Sequence, residues 1–360
     1  MPFTTAAADT VRLFPSRPSW LRLLLRVWGN LAVPRRGACM KIWRVVAFAV
    51  AALAVVAGAS LAFTPMIAGE LSVMLGRIVY NPPPSWLRPP PAGPAAGMVV
   101  GGYWRVQQIA SNTFAIGEPQ DDPDNYEYLL VGKTRALLID SGSTSRDIHT
   151  ALAGLTKLPI TVIPTHLHSD HTNGLRNFDQ IALVDLPETR GLVREGKVHL
   201  RRLQYMAPAP TPVFSVSEWV RPDGDIDLGG RVVRLLWTPG HTATSISIWD
   251  PAAKLLFTGD YIYTTTLYAF MPDSSLSAYQ ATAERLLKLL PPDTTIYGAH
   301  CCRNDAPPQA PWLSMGDLRD LRNAVAAIRS GQVHGRGGLM RRFPVNSRMT
   351  MTTYYPFGNR

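Results

Sequence analysis

Cysteine is scarce in this sequence, with three residues in 360. Cys301 and Cys302 are adjacent, which rarely allows a disulfide between them, and Cys39 lies in a distant basic segment. The sequence therefore predicts no framework of disulfide bonds of the kind that small secreted domains use. No internal repeat is visible either, which argues against a solenoid or another repeat architecture.

Acidic residues are almost missing from the two ends of the chain. Residues 1–44 have a net charge of +7 with Asp9 as their one acid, and residues 329–360 have six Arg and no acid. Because the whole chain carries +10, the remaining 45–328 carries −3. The globular part thus shows no basic surface for a phosphate backbone, and we predict no nucleic-acid partner.

Charge is also absent from Val45 to Phe63, and the next charged residue is Glu70. Nineteen helical residues at about 1.5 Å each span about 28 Å, roughly one bilayer core. The basic excess before this stretch predicts a cytoplasmic segment 1–44, a transmembrane helix 45–64, and a catalytic domain on the non-cytoplasmic, periplasmic side. A cleaved signal sequence is the alternative, since small residues at 57–62 resemble cleavage sites. Met40-Lys41 followed by Arg44 resembles a natural n-region, which allows translation to start at Met40.

The rest of the chain divides by composition. Residues 65–97 form a proline-dense spacer, 98–330 a folded domain, and 331–360 a basic tail that offers an added edge strand or a contact to anionic headgroups. Short strands mixed with helices predict a layered α/β domain. The helices are expected over 145–155, 187–196, 276–290 and 317–330.

Histidine is rare as well, with eight residues, yet three fall within six positions of the run His166-Leu-His-Ser-Asp-His171. This HxHxDH pattern follows an apolar, β-branched stretch, 160–165, that predicts a buried strand. His166 and His168 alternate toward one point, while Asp170 and His171 turn toward a second. The pattern therefore predicts a metal site on a strand-to-helix loop.

A site for two metals needs more ligands than this loop supplies. His241 follows a strand and a Pro-Gly turn, Asp260 follows a strand and a glycine, and His300 lies at another strand end. A carboxylate bridges two cations in a way that imidazole cannot, so Asp260 is the expected bridge.

Together with Asp140, these motifs resemble the metallo-beta-lactamase superfamily over roughly residues 100–300. The resemblance implies a four-layer αβ/βα sandwich with the metals at the edge between two sheets. It implies one metal held by His166, His168 and His241, and a second held by Asp170, His171 and His300, with Asp260 bridging. Asp140 is then structural and ties the ligand loops together.

Within the superfamily, the runs 223–229, 259–263 and 279–290 look like acyl-coenzyme A thioesterase-like and glyoxalase II-like proteins. The membrane segment departs from this likeness, because a domain outside the cytoplasm does not meet coenzyme A. The expected substrate is therefore a small-molecule or lipid-like ester, thioester or lactone.

The expected chemistry is attack of a hydroxide that bridges the metals on a polarised carbonyl. Asp170 would orient that hydroxide and accept its proton. One of the phenols that follow Asp260, namely Tyr261, Tyr263 or Tyr268, would donate to the carbonyl oxyanion, and Tyr263 is the preferred candidate. Ligation by His and Asp alone suits two Zn²⁺ ions per chain and also fits Fe or Mn.

Two other activities stay open on the same scaffold. A persulfide dioxygenase would use one iron with the same histidines, and a zinc β-lactamase usually carries a different residue where this chain has Asp260. The oligomeric state is not indicated by the sequence.

Overall fold

The computed structural model describes residues 97–118, 124–143, 146–206, 211–271, 273–301, 309–338 and 340–354. The predicted basic segment 1–44 and transmembrane helix 45–64 lie outside these ranges, as does all but one residue of the 65–97 spacer. Every helix within the described ranges is too short or too polar to cross a membrane.

The strands are numbered in chain order, and most are short. They are β1 Met98–Val100, β2 Trp104–Ala110, β3 Thr113–Glu118, β4 Asp124–Val131, β5 Ala136–Ile139, β6 Ile160–Ile163, β7 Ala182–Val184, β8 Val193–Arg194, β9 Lys197–His199, β10 Val213–Phe214, β11 Glu218–Val220, β12 Asp225–Asp227, β13 Val232–Trp237, β14 Ile246–Asp250, β15 Leu255–Phe257, β16 Thr265–Tyr268, β17 Thr295–Tyr297, β18 His300–Cys301, β19 Trp312–Ser314, β20 Arg336–Gly337, β21 Met340–Pro344 and β22 Met349–Tyr354.

The α-helices include four of a single turn and two long ones. They are α1 His149–Leu152, α2 Ser169–Thr172, α3 Pro187–Arg190, α4 Arg202–Tyr205, α5 Leu276–Leu289 and α6 Met315–Arg329, with a 3₁₀ turn at Leu175–Asn177.

Two large sheets build the centre of the fold. The first has the order β1-β2-β3-β4-β5-β6, with β18 pairing onto β4. The second has the order β12-β13-β14-β15-β17-β19. Within the first sheet, β5 and β6 are parallel, which brings the end of β6 and the loop after it to the same edge as the end of β5.

Side-chain alternation along the strands assigns residues to separate core layers. In β4 and β5, Tyr128, Leu130 and Leu137 point into a cluster shared with the second sheet. The intervening Leu129 and Leu138 point into another cluster that includes α1. In the second sheet the same alternation directs a third set of apolar side chains, which includes Leu236, Leu256 and Ile296, toward the two long helices. The layers are therefore helix, sheet, sheet, helix, which is the predicted α/β sandwich.

The two long helices cover the outer face of the second sheet. α5 starts where the Ser275 side chain accepts a hydrogen bond from the Ala278 N–H. α6 starts with a capping box between Ser314 and Asp317. Both caps satisfy backbone N–H groups at the helix start, and both helices bury one apolar stripe. These two helices match the predicted ones within two residues at each end.

Two predicted helices are much shorter than expected. The helix expected over 145–155 is one turn, α1, and the helix expected over 187–196 ends at Arg190. After it, β8 and β9 form a hairpin whose turn residues, Glu195 and Gly196, both have positive φ. A two-residue turn of this kind closes a hairpin, so local turn geometry overrode the helical pattern.

The C-terminal strands β20, β21 and β22 form a four-stranded sheet with β16. β22 pairs in parallel with β16, the strand that follows Asp260, and also with β21. Cys301 is disulfide-bonded, which the sequence did not predict, and its partner lies outside the described residues.

Candidate metal centre

Strand ends from both sheets meet at one edge of the sandwich. His166 and His168 lie between β6 and α2, with Asp170 and His171 within α2. His241 follows β13, Asp260 follows β15, and His300 begins β18. The structure therefore brings together all seven residues that the sequence analysis named as ligands, in two groups of four that share Asp260.

The first group consists of His166, His168, His241 and Asp260, all buried. His168 Nδ1 lies 2.9 Å from His166 Nε2 and 3.1 Å from His241 Nε2. Asp260 Oδ2 lies 3.5 Å from His241 Nε2. Three imidazole nitrogens and a carboxylate oxygen converging in this way form a donor set typical of a zinc site.

The second group consists of Asp170, His171, Asp260 and His300. His300 Nε2 lies 3.2 Å from Asp260 Oδ1 and 3.5 Å from Asp170 Oδ2. His171 Nε2 lies 3.4 Å from Asp260 Oδ1. Asp170 has the most exposed side chain of the group, at 37%.

Asp260 faces both groups with different oxygen atoms. Oδ2 is directed to His241 of the first group, and Oδ1 to His171 and His300 of the second. Within the described residues, Asp260 Oδ1 and His171 Nε2 are buried and have no hydrogen-bond partner. Unsatisfied buried donors and acceptors are costly, and a bound cation would satisfy them. The residues therefore fit the two metal ions that the sequence predicts.

The ligand rings are held from behind. His171 Nδ1 lies 2.9 Å from Asp140 Oδ2, and His241 Nδ1 lies 2.9 Å from the Tyr268 carbonyl oxygen. Asp140 also accepts hydrogen bonds from the N–H and the hydroxyl of Thr165, directly before the motif. Contacts of this kind orient an imidazole so that its other nitrogen faces the metal.

The glycine before Asp260 is needed for close packing. Gly259 has φ +51°, and a Cβ there would lie 2.2 Å from Thr165 Oγ1. Only glycine lets the Asp260 loop approach the histidine loop this closely.

The electrostatics differ between the two groups. Burial and the neighbouring imidazoles lower the pKa of His168 to about 3, so this ring is neutral at pH 7. At His300, burial alone lowers the pKa, but Asp260 and Asp170 outweigh it and raise the pKa to about 10. Burial acts to raise the pKa of Asp260, yet His300 and His171 outweigh it and keep that pKa well below its ordinary value. The second group thus favours a positive charge at its centre.

Comparison with known proteins agrees with this geometry. The family model described as the metallo-beta-lactamase superfamily matches residues 126–300, a range that contains all seven ligand residues. The acyl-coenzyme A thioesterase MBLAC2 of Bos taurus is 31% identical over 188 residues, which is 45% of this chain and 67% of that protein. The chain belongs to the metallo-beta-lactamase superfamily.

Other members of the superfamily are more distant. The hydroxyacylglutathione hydrolase of Bdellovibrio bacteriovorus is 25% identical over 179 residues, covering 49% of this chain and 63% of that protein. A solved metallo-beta-lactamase from Pontibacter korlensis has a TM-score of 0.48 at 17% identity, over 62% of this chain and 99% of that chain. The match spans between 48% and 67% of the length of the curated relatives. Their names agree with the predicted class of enzyme, a hydrolase.

Tyr263 is the one predicted site residue whose polar group does not point toward the two ligand groups. Its ring packs edge-on against His300, but its hydroxyl is buried and donates to the Thr266 carbonyl oxygen at 2.7 Å. A hydroxyl committed to the backbone is not available to a substrate carbonyl. Tyr263 is therefore a packing residue in this structure and not the expected oxyanion donor.

Tyr263→Phe should leave the turnover number within about twofold of wild type and lower the free energy of unfolding by about 1 kcal/mol, the usual net value of one hydrogen bond. Tyr261→Phe is the matched control, because the Tyr261 hydroxyl likewise donates to a backbone carbonyl, that of Tyr279. Steady-state kinetics and urea unfolding measure both effects. A rate loss of about 100-fold for Tyr263→Phe alone would restore the oxyanion role.

Sequence reasoning missed residues that adjoin the centre. Asn125 donates a hydrogen bond to the Asp170 carbonyl oxygen, and a narrow cleft beside His168 is lined by Gln204 and Asp273 among others. A single Asn, Gln or Asp outside a recognisable motif gives no signal in the sequence, so these three residues could not be predicted.

Proposed function

We propose that this protein is a dinuclear metal-dependent hydrolase that cleaves a thioester or a related carbonyl ester. The observation that supports it best is the division of the two Asp260 oxygens between two groups of ligands. When bound, two divalent cations lower the pKa of a shared water toward neutrality and polarise a carbonyl.

The protein's own residues have distinct tasks in this reaction. Asp170 lies at the exposed side of the second group, where its carboxylate orients the attacking water and accepts its proton. Asp140 fixes the His171 ring and the start of the histidine loop. The burial of His166, His171 and His241 excludes bulk water from the ligand side of the site, which strengthens the electrostatic interactions there.

The thioester preference follows the names of the relatives, an acyl-coenzyme A thioesterase and a hydroxyacylglutathione hydrolase. The proposed membrane anchor at 45–64 places the domain outside the cytoplasm. A lipid-like or other small thioester or ester available there is therefore the substrate we favour over coenzyme A thioesters.

The decisive experiment uses the purified full chain. We expect about two equivalents of metal, mostly zinc, by elemental analysis, and cleavage of members of a panel of thioesters, esters, lactones and β-lactams. Cleavage should proceed equally in the absence of oxygen. Cleavage confined to β-lactams would favour a zinc β-lactamase. One iron per chain with oxygen uptake on a persulfide would support a dioxygenase.

The predicted topology has its own test. A reporter fused after Arg360 should be active when it requires the non-cytoplasmic compartment, as alkaline phosphatase does, because the charge bias around 45–64 orients the segment. The same fusion without residues 45–64 is the control and should be inactive. Activity of a reporter that works only in the cytoplasm, fused to the full chain, would overturn the topology.

A further inference from the structure

Three consecutive residues of β4 lie behind the second group of ligands. The Asp124 carbonyl oxygen is 3.4 Å from His300 Nδ1, and the Tyr126 N–H donates to the Ala299 carbonyl oxygen at 2.8 Å. Between them, Asn125 is the residue directly opposite His300 in the antiparallel pair of β18 and β4. The short strand that carries His300 is thus docked on this part of β4.

The side chain of Asn125 reaches the other segment that carries second-group ligands. Its Nδ2 donates to the Asp170 carbonyl oxygen at 2.8 Å, to Glu127 Oε1 at 3.1 Å and to Glu118 Oε2 at 3.3 Å. Asn125 is 1% exposed, and both glutamates are completely buried. The two N–H groups of one neutral amide are therefore shared among a backbone carbonyl and two buried glutamate side chains.

The same cluster holds the far end of the ligand helix α2. Glu118 Oε2 accepts hydrogen bonds from the N–H and the hydroxyl of Ser143, at 2.8 and 2.7 Å. The Ser143 carbonyl oxygen in turn accepts from Asn173 Nδ2 at 2.9 Å. Asn173 directly follows α2, so Asn125 contacts α2 at Asp170 and Ser143 contacts the residue after its last one.

We infer that Asn125 is a positioning residue for the second metal site. Asn125 would not contact the metal. It fixes the backbone of Asp170 relative to His300, so that the spacing between these two ligand residues, which lie on separate segments, is held constant. Metal sites need ligand distances held within about 0.2 Å, and residues behind the ligands typically change metal affinity by about 10- to 100-fold. This inference rests on the dinuclear centre of the proposed function.

Asn125→Asp is the sharpest substitution, because it keeps the shape of the side chain and removes both N–H donors. It also places a carboxylate beside Glu118 and Glu127, which repels them and leaves the Asp170 carbonyl without its donor. Asn125→Ala removes the donors without adding charge and serves as the second variant if Asn125→Asp folds poorly.

The matched control is Asn346→Asp. The Asn346 amide also donates to two carboxylates, Asp317 at 2.9 Å and Asp320 at 3.1 Å, in a region that holds none of the ligand residues. It reproduces the chemical change and its cost in stability away from the centre.

Zinc uptake by the full-length apoprotein, titrated in metal buffers, resolves the two binding steps. Substitution at Asn125 should weaken the second step by about 10- to 100-fold and leave the first within about twofold. The absorption bands of the cobalt-substituted protein should change for the second equivalent only. Asn346→Asp should change neither step, although its melting temperature falls.

Two results would overturn the inference alone: both steps unchanged in the Asn125 variants, or both weakened equally, as a general folding defect would produce. Wild-type protein that takes up fewer than two equivalents would instead contradict the proposed dinuclear centre and, with it, this inference.

Discussion

Asp260→Ala should reduce hydrolysis by about three orders of magnitude or more and should lower the metal content of the purified protein. The two oxygens of this carboxylate face different ligand groups, Oδ2 the first group and Oδ1 the second. Alanine removes both at once and also removes the negative charge that faces His171 and His300. Kinetics and elemental analysis on the same preparation measure the two effects together.

Asp250→Asn is the control for the loss of a buried carboxylate as such. Asp250 is completely buried and pairs with Arg231, away from the ligand residues. Its substitution should lower stability yet leave metal content and turnover close to wild type. An Asp260→Ala protein that keeps two metals and full activity would refute the ligand assignment.

His171→Ala should remove the second equivalent of metal and most of the activity. The ring is completely buried, with Nε2 directed at Asp260 and Asp170 and Nδ1 at Asp140. No other side chain of the second group places a nitrogen where His171 Nε2 lies. Because Asp140 still accepts from Thr165, the histidine loop keeps one anchor, and circular dichroism should show a folded protein.

His149→Ala is its matched control, since His149 also contacts an aspartate, Asp147, but lies on the surface. Metal content and rate should not change there. The pair of variants also separates hydrolase from dioxygenase: indifference to His171→Ala, together with one iron per chain and oxygen uptake on a persulfide, would contradict the hydrolase.

The clustering of the seven proposed ligand residues was predictable because each of them is marked by a local signal in the sequence. Four ligands lie within six residues, and His241, Asp260 and His300 each follow or begin a strand next to a Gly or Pro-Gly turn. The long helices were predictable for a similar reason, since their apolar stripes and capping residues are contiguous in sequence. The length of the one-turn helix α1 and the hairpin at Glu195-Gly196 were not predictable in the same way, because weak local preferences for helix and for turn compete there.

The sequence by itself determined which residue types meet and in what order along the chain. It contained the histidines and aspartates of both ligand groups, the strands before them, and the uncharged stretch 45–63, which remains a prediction. Those features are encoded in short windows, where periodicity and residue chemistry act directly.

Only the tertiary structure decided how those residues are used. The pairing of β22 with β16 and the contact of Asn125 with Asp170 join parts of the chain that no local pattern relates, and the burial of the Tyr263 hydroxyl against the Thr266 carbonyl depends on the packing around it. A side chain's hydrogen-bond partner is chosen by whatever packing brings within about 3 Å of it. In this fold that packing brings together residues as far apart in sequence as Asp124 and His300, so the hydrogen-bond partners follow from the assembled sheets and not from local sequence.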